Sequence, residues 1–312
     1  MTSLYLRPLA QLTPELKLTT SRGALFQGDS LDLLRHILDD SINCIFADPP
    51  FNLGKSYAAG VSDELPESDY VNWTHRWLSE CVRVLKPGGS LFIYHMPKRL
   101  IMISSYLNNL ETLDFKSWIA IKMKNGFPIR GRFHPAHYGL IYYTKKGAKA
   151  TFNLVRTPSP TCRHCGELIR DYGGYRKKYP TDDNNVPLIR LADFWDDVSP
   201  NIHRKSRPNM INELPQEVPY RAILTATDPG DVVLDPFAGG GSSLEIAEAN
   251  GRYWIGCEKG PTNTAEERLV AAGSKRKNLP QKVEAVFKSD ALKTDEPPTM
   301  RAKRVKSQAS LS

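Results

Sequence analysis

Two short segments carry the residue types best suited to chemistry, and the first is Asp48-Pro49-Pro50-Phe51. It directly follows the apolar run 42–47, whose composition predicts a short buried strand. Two consecutive prolines remove two backbone donors and fix two φ angles, so the strand must end there in a rigid loop. Asp and Pro are also common in surface turns, but a surface turn leaves Phe51 unexplained. The loop could instead hold the Asp48 carboxylate and the Pro49 carbonyl as acceptors for the exocyclic amine of a base, with Phe51 stacked on its ring.

The second segment is Asp235-Pro236-Phe237-Ala238-Gly239-Gly240-Gly241, which follows another apolar run and opens a predicted helix. Glycines at such a turn let a ligand approach the backbone and the helix N-terminus. The segment lacks the lysine of a phosphate-binding loop, and Asp235 would repel a pyrophosphate but attract the cationic end of S-adenosylmethionine. Glu258 ends the next predicted strand, where an acidic side chain can accept hydrogen bonds from ribose hydroxyls. By itself a tri-glycine turn is typical of structural turns, but the two flanking acidic residues favour a nucleoside-cofactor site.

Alternating strands and helices must position these two segments. Apolar runs predict strands at residues 25–26, 42–47, 90–94, 115–123, 232–234 and 253–256. Apolar residues at helical spacing predict helices at residues 31–38, 70–85, 98–110 and 242–250, the second of which is stopped by Lys86-Pro87-Gly88-Gly89. This alternation indicates an α/β fold with a doubly wound, mostly parallel sheet of the Rossmann-like type.

The positive charge is concentrated in the middle of the chain. The 312 residues have a formal net charge of +8, and residues 116–207 contain 18 Lys and Arg against 7 Asp and Glu. Such a surplus suits a polyanion, although a solvated basic surface is the simpler alternative. Within residues 150–204 basic side chains alternate with aromatic ones, a pattern that suits phosphate contact and base stacking.

The cysteines and the apolar runs indicate the cellular compartment. Five scattered cysteines do not suggest a disulfide framework, and no run of about 18 apolar residues occurs. Prolines interrupt the N-terminus where a signal peptide would have its apolar core. We therefore expect a cytoplasmic protein without membrane association. Cys162 and Cys165 form only half of a four-ligand zinc motif, so no metal site is predicted, with zinc at this pair as the weaker alternative.

Taken together, the Asp-Pro-Pro-Phe and Phe-Ala-Gly-Gly-Gly segments resemble those of the amino-methylating DNA methyltransferases. These enzymes have a catalytic tetrapeptide D/N/S-P-P-Y/F and a cofactor motif F-x-G-x-G. The catalytic segment comes first here and the cofactor segment last, which resembles the β group, a circular permutation of the methyltransferase fold. The similarity covers residues 22–272 and includes GDSLDLLRHI, LKPGGSLFIY and TDPGDVVLDPFAGGGSS.

The resemblance implies site-specific methyl transfer from S-adenosylmethionine to a flipped base of double-stranded DNA. Asp rather than Ser at the first motif position favours the N6 amine of adenine, and the N4 amine of cytosine stays open. Methylation of RNA is less favoured, because related RNA and protein enzymes generally place the cofactor motif first. A noncatalytic DNA-binding subunit is also less favoured, because it has no reason to keep both motifs. A cognate restriction endonuclease and a second copy of the chain are further partners that the resemblance implies.

The resemblance also assigns roles to individual residues. It places catalysis at Asp48, Pro49, Pro50 and Phe51. Cofactor contacts are expected from residues at predicted strand ends and in the segment RPNMINELPQEV, namely Asp29, Asp48, Asn212, Asp235, Phe237, Gly239, Gly241, Ser242 and Glu258. DNA contacts are expected from basic and aromatic residues of the middle region, namely Arg130, Arg132, Arg163, Tyr172, Tyr175, Arg176 and Lys177.

The predicted organisation has five parts, in which a recognition region separates the two halves of one methyltransferase domain. The parts are an N-terminal arm (1–21), the catalytic half (22–149), a target-recognition region (150–204), the cofactor-binding half (205–273) and a basic flexible tail (274–312). The recognition region lacks clear periodicity, which is typical of a long functional insertion.

Overall fold

The strand order of the central sheet brings distant parts of the chain together. The computed structural model describes residues 14–54, 64–123, 130–131, 133–159, 162, 164–167, 180–198, 214–276 and 280–287. The strands are β1 (Glu15–Thr19), β2 (Gly23–Gln27), β3 (Ile42–Ala47), β4 (Leu85–His95), β5 (Leu113–Lys122), β6 (His137–Lys145), β7 (Arg156–Pro158), β8 (Leu188–Arg190), β9 (Phe194–Trp195), β10 (Val232–Asp235) and β11 (Tyr253–Glu258). The helices are α1 (Ser30–His36), α2 (Glu67–Val84), α3 (Pro97–Asn108), α4 (Glu217–Ala226), α5 (Ser242–Ala249), α6 (Asn263–Ala272) and α7 (Gln281–Glu284). The main sheet has the order β1-β2-β11-β10-β3-β4-β6-β5-β9, and β7 pairs with β8 in a separate ribbon.

The main sheet is mostly parallel, as predicted, and has antiparallel pairs toward its two edges. β2, β11, β10, β3 and β4 run parallel to one another. β6 is antiparallel to both β4 and β5, and β1 is antiparallel to β2. Two consecutive strands that run parallel need a crossover connection, which is usually a helix. The short turn between β1 and β2 leaves no room for one, and no helix is described between β5 and β6, so both pairs are antiparallel.

Helices cover both faces of the sheet. On β3, Ile45 and Ala47 pack on the side of α1, α2, α3 and α7, while Cys44 and Phe46 pack on the side of α4, α5 and α6. All four of these side chains are almost completely buried. This two-sided burial is the doubly wound α/β arrangement that the sequence predicted. Among the described helices, none has the length and apolar character needed to cross a bilayer.

One element boundary differs from the prediction. α2 ends at Val84, but β4 begins directly at Leu85, so Lys86-Pro87-Gly88-Gly89 belongs to the strand rather than to a connecting loop. The pairing of this stretch with β3 is irregular. Gly88 has φ 78°, and a Cβ atom there would lie 2.8 Å from the carbonyl oxygen of Lys149. The glycine therefore allows the chain to bulge and still continue as a strand.

Both terminal parts of the predicted domain scheme contain described secondary structure. Residues 15–19 of the predicted N-terminal arm form β1, which pairs with β2. Residues 280–287 of the predicted flexible tail pack on the sheet, where Val283 is fully buried and the Phe287 ring lies 5.8 Å from the ring of Phe26. Apolar residues at helical spacing are the signal here, and the basic composition of the tail obscured it. The inner boundaries of the scheme stay predictions.

Candidate active site

Four adjacent parallel strands each bring one acidic residue to the same edge of the sheet. The strands are β2, β11, β10 and β3, and the residues at or just after their ends are Asp29, Glu258, Asp235 and Asp48. β10 pairs directly with β3, so two segments that are far apart in the sequence leave the sheet side by side. Ligand sites in open α/β sheets lie at this carboxyl edge.

The Asp48 carboxyl lies half-buried at this edge. Within the described ranges, no group donates a hydrogen bond to its oxygens or to the Pro49 carbonyl. Burial, and secondarily the negative charge of Asp235, raise the pKa of Asp48 to about 8. The first two residues of the predicted catalytic segment therefore keep their acceptor capacity for a ligand.

Phe51 is held among three aromatic side chains. Its ring stacks on His95 with a centroid distance of 4.2 Å and an interplanar angle of 20°. The ring centroids of Tyr94 and Tyr138 lie 6.2 Å and 6.0 Å from that of Phe51. Burial, with a smaller contribution from the charge of Asp48, raises the pKa of both tyrosines, so both hydroxyls stay protonated. Phe51 itself is half-buried and thus retains ring surface for a base.

Asp235 shapes the turn of the glycine segment. Its carboxylate accepts hydrogen bonds from the Phe237 backbone N–H at 2.9 Å and from the Ser243 hydroxyl, and its side chain is only 3% exposed. Burial raises the pKa of Asp235 to about 7. Gly239 and Gly241 have φ angles of 49° and 79°, in the left-handed region that favours glycine. Because both Asp235 oxygens have partners within the turn, its direct contact with a cofactor stays a prediction.

Glu258 fastens the glycine segment to the end of the neighbouring strand. Its two carboxylate oxygens accept hydrogen bonds from the Gly239 N–H at 2.8 Å and from the Gly260 N–H at 2.6 Å. Asp29 caps α1 by accepting a hydrogen bond from the Leu31 N–H at 2.9 Å. Both acidic residues are half-buried, so each keeps accessible surface in addition to its structural hydrogen bonds.

Side chains of α2 connect the two segments, a role that sequence reasoning missed. The Trp77 ring lies edge-on to Phe237 at 5.1 Å, and the Trp73 ring lies 5.6 Å from the same phenylalanine. Tyr70 of the same helix donates its hydroxyl to the Pro50 carbonyl at 2.8 Å. The sequence predicted this helix, but helical spacing does not reveal what a helix face packs against.

Two polar residues beside the catalytic segment were also missed. Asn52 has φ 55°, and its side-chain amide makes two hydrogen bonds with the Leu65 backbone, at 3.0 Å to the carbonyl and 2.7 Å from the N–H. His95 ends β4, the neighbour of β3. An Asn two residues after the double proline and a polar residue ending a buried strand are the signals that could have indicated them.

Most of the predicted DNA-contacting residues lie outside the described residues. These are Arg132, Arg163, Tyr172, Tyr175, Arg176 and Lys177, and the predicted cofactor residue Asn212 also lies outside them. Arg130 is described and is exposed. In the described part of the recognition region, Arg156 of β7 lies directly opposite Arg190 of β8. Two like charges opposite each other weaken a strand pair in water and suit a polyanionic partner.

Cys162 and Cys165 are free thiols in a described turn. The Cys162 N–H donates to the Glu167 carbonyl at 2.6 Å. Hydrogen bonds from the backbone of Cys165, and then from that of His164, lower the pKa of Cys162. Within the described ranges, no group of three or more His, Cys, Asp or Glu side chains could hold a metal ion. The described part of the chain thus provides these thiols with no third ligand.

Comparison with known proteins identifies the family. A family model described as DNA methylase matches residues 42–266, which is well over half of the chain. The chain belongs to this family. The matched range begins at the strand that leads into the catalytic segment and extends beyond the glycine segment and Glu258, so it contains the described site except for Asp29.

Individual members of the family and one solved structure show how far the likeness extends. Type II methyltransferase M.BamHI of Bacillus amyloliquefaciens is 45% identical over 260 residues, which are 83% of this chain and 60% of M.BamHI. DNA adenine methyltransferase YhdJ of Escherichia coli (strain K12) is 31% identical over 243 residues, 75% of this chain and 77% of YhdJ. TTHA0409 of Thermus thermophilus, solved in complex with S-adenosyl-L-methionine, aligns with a TM-score of 0.54 at 20% identity, over 80% of this chain and 95% of the other. The chain thus spans less than two thirds of M.BamHI, and the structural likeness shows the fold.

Proposed function

We propose that the protein transfers a methyl group from S-adenosylmethionine to an exocyclic amine of a base in double-stranded DNA, with the N6 amine of adenine as the expected target. The observation that carries this proposal is the adjacency of two segments at the ends of β3 and β10. One of them offers the unused acceptors of Asp48 and Pro49, and the other is a glycine turn with acidic neighbours. The names of YhdJ, a DNA adenine methyltransferase, and of TTHA0409, solved with S-adenosyl-L-methionine, support the same chemistry.

The glycine segment fits S-adenosylmethionine on its own geometry. Gly239 is exposed, and a Cβ atom there would meet nothing nearer than the Phe237 carbonyl oxygen at 4.0 Å, so the turn borders open space. Acidic residues at four neighbouring strand ends produce a negative potential that attracts a sulfonium ion. We assign Glu258 to the ribose hydroxyls and Asp29 to the adenine side, and Asp235 acts through its charge and through the turn that it holds.

The remaining chemistry depends on how the chain presents the base amine. S-adenosylmethionine, when bound, supplies an electrophilic methyl group. A base amine is a poor nucleophile because its lone pair is delocalised into the ring, but two N–H bonds directed at Asp48 and the Pro49 carbonyl favour a pyramidal nitrogen. The nitrogen gains positive charge as its bond to the methyl carbon forms and the sulfur–methyl bond breaks to leave a neutral thioether. The Asp48 carboxylate stabilises that charge, and the nitrogen then loses its extra proton through Asp48 to solvent. Phe51 stacks on the extruded base and keeps it in line.

The second candidate is methylation of the N4 amine of cytosine. The same two acceptors fit either amine, and within the described ranges no side chain is identified that reads the remaining edge of the base. The expectation of adenine therefore depends on Asp at the first motif position. A cognate restriction endonuclease and a homodimer stay predictions.

Tritiated S-adenosylmethionine and unmethylated duplex DNA test the proposal directly. After incubation with the pure protein, the DNA is digested to nucleosides and the label is separated by chromatography. We expect the label in N6-methyladenine. Label in N4-methylcytosine would correct the base but keep the reaction class, and label found only when RNA or protein replaces DNA would overturn the substrate class.

The reaction is also expected to depend on pH through Asp48. Because burial raises the pKa of Asp48 to about 8, the free protein carries a protonated carboxyl below that pH and an accepting carboxylate above it. We therefore expect kcat/KM, measured between pH 6 and 9.5, to rise with pH in one step. The bound cofactor is cationic and lowers the pKa of Asp48, so the corresponding step in kcat should occur at lower pH. An Asp48→Asn variant keeps an acceptor but cannot titrate, so its residual rate should lack the step. A wild-type profile without a step, or the same step in Asp48→Asn, would contradict this assignment.

A further inference from the structure

A chain of hydrogen bonds reaches the catalytic segment from the protein interior. The Tyr70 hydroxyl donates to the Pro50 carbonyl at 2.8 Å and lies 2.9 Å from the Nε2 atom of His95. Tyr70 and His95 are 1% and 0% exposed, so water does not satisfy these groups. The Nδ1 atom of His95 lies 2.8 Å from the backbone N–H of Met96.

The direction of each hydrogen bond in this chain follows from the number of protons. The single Tyr70 proton goes to the Pro50 carbonyl, so the Nε2–H of His95 faces the tyrosine oxygen, and the His95 ring also contributes a hydrogen bond to the Pro50 carbonyl. A backbone N–H can only donate, so His95 Nδ1 accepts the hydrogen bond from the Met96 N–H. Burial, and then the charge of Arg99, lower the pKa of His95 to about 3, so the ring stays neutral at neutral pH. One tautomer thus satisfies every polar group of the chain.

The same two side chains also support the ring of the catalytic segment. The His95 ring stacks on Phe51 with a centroid distance of 4.2 Å, and the same ring is hydrogen-bonded to Tyr70. The Arg99 guanidinium lies 4.6 Å from the centre of the Tyr70 ring, and the same guanidinium pairs with Glu67. The contacts therefore fix both the Pro50 carbonyl and the Phe51 ring.

We propose that Tyr70 and His95 are positioning residues, which hold the Pro50–Phe51 peptide and the Phe51 ring in the orientation that the amine-transfer reaction requires. This inference rests on the proposed function. The φ angles of the two prolines are fixed by their rings, but the rotation of the peptide after Pro50 is not, and the Tyr70 hydroxyl fixes it. Apolar side chains could fill the same volume, but they would not orient a carbonyl.

Tyr70→Phe removes only the hydroxyl, and Tyr143→Phe is its matched control. Tyr143 is 1% exposed, donates its hydroxyl to Asn108 at 2.8 Å and pairs with Leu91 in the middle of β4 rather than at its carboxyl end. Tyr70→Phe breaks the hydrogen bonds of its hydroxyl with Pro50 and His95, and Tyr143→Phe breaks the one with Asn108, so both variants should lose thermal stability. We expect Tyr70→Phe to lower the single-turnover rate at saturating cofactor and DNA by about ten- to a hundredfold, since small misplacements of reacting groups have effects of that size. Its affinity for S-adenosylmethionine should match that of Tyr143→Phe, which should react at the wild-type rate.

Two substitutions of His95 separate its two contacts. His95→Phe keeps a ring against Phe51 but removes the donor to Tyr70, and His95→Gln keeps a donor but removes the ring. We expect each to retain part of the rate that His95→Ala loses. Rates of both equal to that of His95→Ala would overturn the division of roles proposed for this side chain.

Hydrogen exchange gives a measurement that does not depend on activity. Tyr70→Phe should increase exchange of the backbone amides of residues 51–54, and Tyr143→Phe should leave them unchanged. If both variants show the same exchange there, the positioning role is wrong. If the wild-type protein methylates no substrate while Tyr70→Phe still loosens the segment, the structural part of the inference holds and the proposed function fails.

Discussion

Asp48→Ala should lower the rate of methyl transfer by on the order of a thousandfold, because it removes the charged acceptor that stabilises the nitrogen as its bond to carbon forms. No described group donates a hydrogen bond to this carboxylate, so its removal leaves no buried donor without a partner. The loss of one of two close negative charges should also leave the folded state at least as stable above pH 8, where burial and Asp235 make the Asp48 carboxylate costly. The loss of activity should therefore occur in a fully folded protein.

The measurement pairs the single-turnover rate with equilibrium binding of S-adenosylmethionine. Binding should change little, since the glycine segment and its acidic neighbours stay intact. Asp114→Ala is a suitable control, because Asp114 is an exposed aspartate near the start of β5, within 4 Å of Lys116 and Lys146. Near wild-type transfer by Asp48→Ala would show that this carboxylate is not the acceptor. Loss of cofactor binding in the same variant would place Asp48 in the cofactor site instead.

Gly241→Ala is the second substitution with a large expected effect, and it should mainly weaken cofactor binding. Gly241 has φ 79°, and a Cβ atom there would lie 3.0 Å from the Cβ of Ala265 on α6. The residue also precedes α5 directly, where the turn must keep its shape for a ligand to approach the helix N-terminus. A shift of the turn that costs about 1.4 kcal/mol of binding energy weakens affinity by about tenfold, and we expect at least that loss for S-adenosylmethionine.

Gly230→Ala separates the local effect of Gly241→Ala from a general loss of stability. Gly230 precedes β10 at the opposite edge of the sheet, has φ 91°, and has no atom within 4 Å of the position of a Cβ. Both variants place alanine in the left-handed region at a cost of about 1–2 kcal/mol, so both should melt at lower temperature. Titration calorimetry below the melting temperature should show wild-type affinity for Gly230→Ala only. Equal affinities of the two variants for S-adenosylmethionine would show that the glycine turn does not contribute to cofactor binding.

Local constraints explain why the two segments could be identified without a structure. The double proline after β3 restricts the backbone, and the glycines after β10 allow it more conformations, whatever the rest of the fold. Apolar runs mark the strands that precede both segments. The strand-to-helix alternation predicted the α/β class for the same reason. Prediction failed where local signals compete. Lys86-Pro87-Gly88-Gly89 has the composition of a loop, but pairing of the flanking Leu85 and Ser90 with β3 keeps it within a strand. Burial of Val283 orders a segment whose composition is that of a basic tail.

The sequence by itself determined which chemistry the two loops can support, because the types of residue in the Asp48 and Gly241 segments restrict what each loop can bind. Only the tertiary structure decided how those loops are held, because the supporting contacts come from elements distant in the sequence. Tyr70 and His95 meet Pro50 and Phe51 only when α2 and β4 pack beside β3. Asp235 and Glu258 look alike in the sequence as acidic residues at strand ends. Their hydrogen bonds distinguish them, since the Asp235 carboxylate closes its own turn, whereas Glu258 joins that turn to the next strand.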